Sequence, residues 1–208
     1  MGRQKHSRYY ESMPKAQKSS PSARRTPKAE KAAKVLSSKL VYQGKVFSVA
    51  SDEVVEPSGV KVRREMMRHT GSVVILCVDE SKGEPRVLLI RQYRYAAKQY
   101  LWELPAGRID EGEDALTAAQ RELMEETGYH AHEWKQVLFY YPSPGFMDET
   151  HALFLARDIQ KGKARPEEDE FITPRWVSIN RAIEWVMSGK IPDAKTIAGV
   201  LWMAQKLV

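Results

Sequence analysis

Three glutamates lie close together in the run GRIDEGEDALTAAQRELMEETGY, at positions 122, 125 and 126. If this run is helical, 3.6 residues per turn place all three on neighbouring turns of one face. Two such carboxylates about 5 Å apart repel each other by roughly 3 kcal/mol at an effective dielectric of 20. Arg121 is spaced to pair with Glu125, but one guanidinium does not neutralise three carboxylates. A hard divalent cation is the natural remaining partner, because Mg²⁺ takes oxygen ligands and keeps water positions for substrate phosphates.

The same run carries the signals of a complete helix. Asp114 is placed as its N-cap, and Gly128 is placed as the left-handed residue that ends it. Leu116, Ala119 and Leu123 predict a stripe that faces the core. The predicted helix therefore buries its apolar stripe and leaves the glutamates for a ligand.

Strand-like runs surround this helix on both sides. Two extended runs flank the turn Pro57-Ser58-Gly59, and further β-rich runs are SVVILCV and RVLLIRQYRY before the helix and WKQVLFYY, HALFLARDI and RWVSI after it. Helical patterns near residues 179–188 and 193–206 close the chain. Many strands with one central helix and a helical C-terminus predict a mixed α+β sandwich.

The net charge of +6 is unevenly distributed along the chain. Residues 1–39 carry a balance of +9, whereas the remainder is mildly acidic at −3. Residues 1–38 are rich in Lys, Arg, Ser, Pro and Ala and almost free of large aliphatic side chains. Such a segment does not bury enough apolar surface to offset its ordering entropy. We expect a disordered basic arm, with contact to nucleic acid as a less favoured role.

Cysteine content and hydropathy indicate the compartment. Cys77, the single cysteine, lies inside SVVILCV, where a buried thiol is expected and an internal disulfide is excluded. The apolar runs fall short of the ~20 residues that a membrane span needs. No apolar segment of a secretory signal follows the N-terminal charges. We therefore expect a cytoplasmic protein that does not bind a membrane.

The spacing of residues around the glutamates resembles the signature of the Nudix hydrolases. Gly107, Glu113, the run from Arg121 to Glu126, and Gly128 fit a glycine, five residues, a glutamate, seven residues and then R-E-aliphatic-x-E-E-x-G. The resemblance implies a Nudix-type α/β/α sandwich with a mixed sheet, preceded by antiparallel strands. It also implies hydrolysis of a nucleoside diphosphate linked to another group.

The resemblance assigns roles to the residues of this signature. Glu122 and Glu126 would be the principal metal ligands, and Glu126 is also counted among the catalytic residues. Glu125 would be a further or water-mediated ligand, and the backbone carbonyl of Ala106 would join them. Arg121 would orient the glutamates. The expected metal is Mg²⁺, with Mn²⁺ as a possible substitute.

Three segments outside the signature resemble the ADP-ribose pyrophosphatase branch. WELPAG runs directly into the signature, and RQYRYAA places Arg94 where that branch carries an arginine that contacts the pyrophosphate. SPGFMDE places Pro144 sixteen residues after Gly128, and Glu149 at a position that meets the terminal ribose in relatives. We also expect Arg108 to contact the substrate.

The acidic run in RPEEDEFI resembles the loop from which this branch draws its general base. Glu168 is our candidate base and Glu170 a supplementary metal ligand, although the assignment could shift by a residue or two within EEDE. Members of the branch are commonly homodimers whose N-terminal strands cross to the partner. Arg63 or Arg64 would then contact the substrate in trans.

These assignments divide the chain into the arm at 1–38, a strand region at 39–68 on the dimerisation and adenine side, and a Nudix hydrolase domain at 69–208.

The expected reaction converts ADP-ribose and water to AMP and ribose 5-phosphate. Two alternatives remain: hydrolysis of another nucleoside diphosphate sugar such as GDP-mannose, and a non-catalytic module that senses a nucleotide. The complete set of glutamates disfavours the second alternative.

Overall fold

The computed structural model of the protein describes residues 31–164 and 171–206. Most of the predicted arm, residues 1–30, therefore lies outside the described residues. Among the helices of the described part, none is long and apolar enough to cross a membrane.

Three antiparallel strands form a small N-terminal sheet in the order β1-β2-β3. Their bounds are Lys34–Gln43 for β1, Ser48–Val55 for β2 and Lys61–Arg68 for β3. The turn at residues 57–59 joins β2 to β3, as the sequence predicts. Strand β1 begins inside the range predicted as arm, because residues from Lys34 onward pair with β2.

A seven-stranded mixed sheet forms the main body, in the order β10-β5-β4-β9-β8, with β6 paired to β5 and β7 to β4. Strands β4 and β9 run parallel, and the other pairs are antiparallel. The bounds are β4 Ser72–Asp79, β5 Arg86–Arg94, β6 Gln99–Glu103, β7 Ala106–Arg108, β8 Tyr129–Tyr140, β9 His151–Lys161 and β10 Thr173–Ser178. The helices are α1 Ala115–Thr127, α2 Ile179–Met187 and α3 Ala194–Ala204.

Strand β4 shows why the sheet lies between two helical layers. Val74 and Leu76 pack in the cluster that includes residues of α2 and α3, whereas Val73 and Ile75 pack with residues of α1. Successive side chains of a strand point to opposite faces, so a continuous apolar run buries both faces. Cys77 is fully buried in the α1 layer, as predicted. The expected α/β/α sandwich with a mixed sheet and preceding antiparallel strands is confirmed.

Helix α1 has the predicted caps. The Asp114 side chain accepts hydrogen bonds from the amides of Leu116 and Thr117 at 3.0 and 3.1 Å. Gly128 has a φ of 72° and donates its amide to the Met124 carbonyl at 2.8 Å. The predicted buried stripe is wrong at Leu116, which is 38% exposed. This residue lies in the first turn beside the exposed cap, and only the later turns of the stripe are covered.

Polar side chains fasten helix α3 to the end of strand β6. The Thr196 hydroxyl, fully buried, accepts the Leu104 amide at 2.8 Å and donates to Asp193 at 2.6 Å. The Lys195 ammonium forms ion pairs with Asp193 at 2.9 Å and with the 1% exposed carboxylate of Glu103. The N-terminus of α3 is thereby held against the end of β6.

Glu103 is buried but remains charged. Burial by itself raises its pKa, but the hydrogen bonds from Arg94 and the charges of Lys195 and Arg94 outweigh burial. The net result is a pKa below the ordinary value of 4.5. A carboxyl group whose pKa is lower in the folded state than in the unfolded state stabilises the fold at pH values above its unfolded pKa. This contribution is lost as the pH falls through its folded pKa.

We therefore predict that Glu103→Gln lowers the free energy of unfolding by about 2–4 kcal/mol at pH 7, since two cations lose their buried counter-charge and one of them is partly exposed. The deficit should shrink as the pH falls below about 4, because the wild-type carboxylate then takes up a proton as well. Urea unfolding of both proteins at pH 7 and at a pH below about 4 measures the deficit. Glu65→Gln, at an exposed position of strand β3, is the control. A deficit of equal size at both pH values would contradict the prediction.

Candidate active site

Gly107 lies where helix α1 packs against strand β7. A Cβ atom built on Gly107 would lie 1.9 Å from Cδ of Glu122 and 2.0 Å from its Oε1. The Glu122 carboxylate therefore lies directly on the β7 backbone, where only glycine leaves room. Four residues further along α1, the Glu126 Oε2 accepts a hydrogen bond from the Ala106 amide at 3.1 Å. The structure thus brings both predicted principal ligands to the strand that carries the Ala106 carbonyl.

The Arg121 guanidinium joins the acidic face of α1 to the loop before the helix. Its Nε and Nη2 donate to the two oxygens of Glu113 at 3.0 and 2.9 Å, and Nη2 also donates to the Arg108 carbonyl at 3.0 Å. Its Nη1 donates to Glu122 at 2.7 Å and to Glu125 at 3.1 Å. The pKa of Arg121 is raised by these bonds, most by the bond to Glu113. Arg121 therefore orients two of the three glutamates.

The donor set can be compared with the needs of a divalent cation. Within residues 31–164 and 171–206, no three His, Cys, Asp or Glu side chains are gathered into a ready metal-binding group. The carboxylates instead contact Arg121 and the Ala106 amide. The donors nevertheless fit Mg²⁺, since all are carboxylate or carbonyl oxygens. Their placement fits as well, because Gly107 admits the Glu122 carboxylate and the face keeps an excess of negative charge after Arg121 is counted.

Arg94, the predicted pyrophosphate contact, lies in the electrostatic field of this site. Its Nε and Nη2 each donate to a different oxygen of Glu103 at 2.9 Å. The hydrogen bonds that Arg94 donates to Glu103 raise the Arg94 pKa most, and the charges of Glu103, Glu126 and Asp193 raise it further. The side chain is 39% exposed, and Nη1 makes no hydrogen bond with the described part of the chain. One edge of the guanidinium is fixed, and the other remains available to an anion.

Glu149, the predicted ribose contact, lies in the SPGFMDE loop, which is attached to the N-terminal sheet. The Met67 amide donates to the Phe146 carbonyl at 2.8 Å, and the Asp148 amide donates to the Met67 carbonyl at 3.1 Å. The Glu149 Oε1 accepts a hydrogen bond from the Ser72 hydroxyl at 2.8 Å, at the start of β4. The loop is therefore fixed to both sheets.

Arg63 and Arg64 have acidic partners within their own sheet. Arg64 donates from Nε and Nη2 to Glu56 Oε1 at 2.9 and 2.6 Å, and Arg63 lies 3.8 Å from Glu53. The structure does not bring either side chain to the glutamates of α1. Their contact with a substrate bound to a partner subunit stays a prediction.

The remaining predicted site residues are Arg108, Glu168 and Glu170. Arg108 belongs to β7 and donates from Nη1 to the Lys45 carbonyl at 3.1 Å, which links β7 to the turn between β1 and β2. Glu168 and Glu170 lie outside the described residues, so their predicted roles as base and metal ligand stay predictions.

Sequence reasoning missed the side chains that hold the predicted contacts. Glu103, which supports Arg94, could have been noticed as a charge inside the apolar run YLWELP. Lys195 gives no such signal, because it lies 92 residues from Glu103. His151 gives no such signal either: it is buried beside Glu149, whereas His130 and His132 are exposed.

We predict that Gly107→Ala preserves the fold but weakens divalent metal binding by about 10–100-fold, because the new methyl group displaces the Glu122 carboxylate. The displaced group is the flexible end of a side chain, so the melting temperature should change by only a few degrees. Mn²⁺ titration followed by electron paramagnetic resonance measures the affinity. Gly145→Ala is the matched control, since its Cβ would meet no atom within 4 Å. Equal Mn²⁺ affinity of both variants would contradict the prediction.

Comparisons with known proteins agree with this geometry. The chain is 33% identical over 175 residues to the ADP-ribose pyrophosphatase of Bacillus subtilis, covering 83% of this chain and 93% of that protein. It is 36% identical over 177 residues to the ADP-ribose pyrophosphatase of Mycobacterium tuberculosis, covering 83% and 84%. The crystal structure of an ADP compounds hydrolase has the same fold, with a TM-score of 0.74 and 22% identity over 86% of this chain and 96% of that one. The NUDIX domain family matches residues 67–198. The chain therefore belongs to the NUDIX domain family.

Proposed function

We propose that this protein hydrolyses the pyrophosphate of ADP-ribose to AMP and ribose 5-phosphate. The observation that carries the proposal is the Glu122 carboxylate lying on the bare backbone of Gly107, with Glu126 bonded to the neighbouring amide. This arrangement supports an oxygen-ligand metal site beside Arg94, a cation suited to a dianionic bridge. The names of the two pyrophosphatase relatives support ADP-ribose as the substrate.

The same geometry supports the metal ligands that we propose. Glu122, Glu126 and the Ala106 carbonyl would hold Mg²⁺, and Glu125 would be a further or water-mediated ligand. When bound, Mg²⁺ offsets the charge of the pyrophosphate and the charge that develops in the transition state. Mn²⁺ can substitute because it accepts the same oxygen donors.

The protein's own groups position the substrate and move one proton. Arg94 binds pyrophosphate oxygens through Nη1 while Glu103 holds its other edge, and Glu149 binds the terminal ribose. Glu168 takes a proton from the attacking water, whose oxygen bonds to one phosphorus as the bridging P–O bond breaks. The bridging oxygen leaves with the other phosphate, which yields the two monophosphates. Glu170, in the same acidic run of the sequence, adds a metal contact.

A panel of nucleoside diphosphate derivatives with Mg²⁺ tests this function. We expect the wild type to cleave ADP-ribose preferentially and Glu126→Gln to lose about 10³-fold or more in kcat/KM, which corresponds to about 4 kcal/mol of transition-state stabilisation. Glu133→Gln, an exposed carboxylate on strand β8, is the control and should leave the rate unchanged. Removal of Mg²⁺ with a chelator should abolish cleavage.

Other results would select one of the alternatives. Preferential cleavage of GDP-mannose or another sugar nucleotide would retain the metal site and reject the substrate. Binding of ADP-ribose without cleavage of any derivative would identify a sensor. Loss of activity in a chain lacking residues 1–30, together with RNA binding by the full chain, would point to a nucleic-acid substrate.

A homodimer is the second part of the proposal, and strand β1 supports it. All ten residues of β1 are exposed, and in the described part of the chain β1 pairs only with β2. Its large apolar side chains are 45–61% exposed, among them Leu40 at 58% and Val41 at 61%. A long apolar edge strand left open invites pairing with another chain. We infer that β1 and the adjacent sheet pack on a second copy, near which Arg63 and Arg64 contact its substrate.

We predict that Leu40→Glu combined with Val41→Glu converts the dimer to a monomer, because burial of two carboxylates in the interface is unfavourable. Sedimentation equilibrium at several concentrations measures the association. Met187→Glu, which changes a 74% exposed apolar side chain on α2, should leave the dimer intact. A monomeric wild type, or a dimer that survives the double substitution, would refute this interface.

We infer a cytoplasmic location from the single, fully buried cysteine, which is typical of a reducing compartment. Fractionation of cells that express the chain with an epitope tag tests this, and recovery in a membrane or secreted fraction would reject it.

A further inference from the structure

A chain of partly buried polar side chains holds Glu149. The Glu149 side chain is 17% exposed, and its Oε1 lies 3.1 Å from Nε2 of His151 and accepts the Ser72 hydroxyl at 2.8 Å. On the other side of the imidazole, Nδ1 of His151 lies 3.2 Å from the Tyr140 hydroxyl. The order of contacts is therefore Tyr140, His151, Glu149.

The charge of Glu149 decides which nitrogen of His151 carries the proton. Burial raises the pKa of Glu149, but hydrogen bonds with His151 and Ser72 outweigh it, and the net pKa is lowered. A carboxylate at 3.1 Å repels a nitrogen lone pair, so Nε2 must be the donor. In a neutral imidazole Nδ1 is then an acceptor.

Tyr140 supplies the proton that this acceptor requires. Burial raises the pKa of its phenol most, and the charges of Asp193 and Glu149 raise it further. The hydroxyl therefore keeps its proton and donates to Nδ1 of His151. This bond fixes both the tautomer and the ring orientation, as the partner of a ligating histidine does in metal sites.

His69 does not replace His151 in this arrangement. Its Nδ1 lies 3.9 Å from Glu149 Oε1 and accepts the Gly71 amide at 3.0 Å. A nitrogen that accepts a hydrogen bond has no proton to donate to the carboxylate. Among the described residues, the imidazole donor of Glu149 is therefore His151.

The contacts fall on one oxygen of the carboxylate. Oε1 takes the bonds from Ser72 and His151, whereas Oε2 makes no hydrogen bond with residues 31–164 or 171–206. Ser72 lies opposite Arg108 of β7 and opposite His151 of β9 in the sheet. Adjacent strands are about 4.8 Å apart, so the residue that holds Oε1 lies on the strand next to β7, the segment that precedes the glutamate helix.

We propose that Tyr140 and His151 are positioning residues that aim the free Oε2 of Glu149 at the hydroxyls of the terminal ribose. The pair thereby makes the enzyme specific for a sugar that carries hydroxyls at this position, because a sugar without them leaves a partly buried carboxylate unpaired. This inference rests on the proposed function and deepens it, since it names the part of the substrate that Glu149, held by His151 and Tyr140, recognises.

A double-substitution cycle between protein and substrate tests the proposal. The substrates are ADP-ribose and the ADP ester of tetrahydrofurfuryl alcohol, which keeps the ring but lacks its three hydroxyls. His151→Leu should lower kcat/KM for ADP-ribose by about 10–100-fold and for the ester by less than about 3-fold. His151→Gln should recover part of the loss, because its amide can donate to Oε1.

Tyr140→Phe keeps the volume of the side chain and removes only the donor, so it remains informative if His151→Leu does not fold. We expect it to lower kcat/KM for ADP-ribose by about 3–10-fold and to leave the ester unaffected. His132→Leu and Tyr141→Phe, both exposed on or beside β8, are the controls.

Two results would overturn the proposal, and they are distinguishable. Equal losses of kcat/KM on both substrates would show that His151 and Tyr140 stabilise the fold but do not contribute to recognition of the ribose hydroxyls. The proposed function would then stand. A wild type that cleaves neither substrate would refute the proposed function and this inference with it.

Discussion

Repulsion among the carboxylates of helix α1 is the constraint on which the site depends, and the Arg121 guanidinium is the main group that counters it. Its donors connect Glu113 in the loop, Glu122 and Glu125 on the helix and the Arg108 carbonyl on β7. The loop, the helix and the strand are thereby held in one geometry. The remaining negative charge makes the same face suitable for a divalent cation. Stability and function are linked here because one guanidinium compensates only part of the charge.

The buried charge of Glu103 organises the surroundings of Arg94. Glu103 is almost fully buried, so it is stable only when cations and hydrogen bonds replace its water. Arg94 and Lys195 meet that requirement from strand β5 and helix α3. The same contacts fix the edge of Arg94 and hold the start of α3 beside β6. The contacts that keep Glu103 stable in the folded protein thus also orient Arg94, the side chain that we assign to the pyrophosphate.

Features that depend on neighbouring residues could be predicted from the sequence. The caps Asp114 and Gly128 were predicted because capping involves a few adjacent residues. The β-rich runs and the turn residues between them also predicted the strands, since strand propensity and turn signals are local properties. Leu116 shows the limit of this reasoning, because burial depends on what lies opposite a side chain. The start of β1 at Lys34 shows it again, because pairing with β2, a distant contact, decides where the strand begins.

The sequence by itself determined the family and the kind of chemistry, because the metal-binding signature is a spacing of residues along one helix and its preceding loop. The tertiary structure alone decided how the predicted contacts are held. Lys195 reaches Glu103 across 92 residues, and Ser72 reaches Glu149 across 77. Tyr140 and His151 face each other only because β8 and β9 pair in that register. These contacts have no signature in spacing, because the folded sheet and the helices packed on it bring distant segments together.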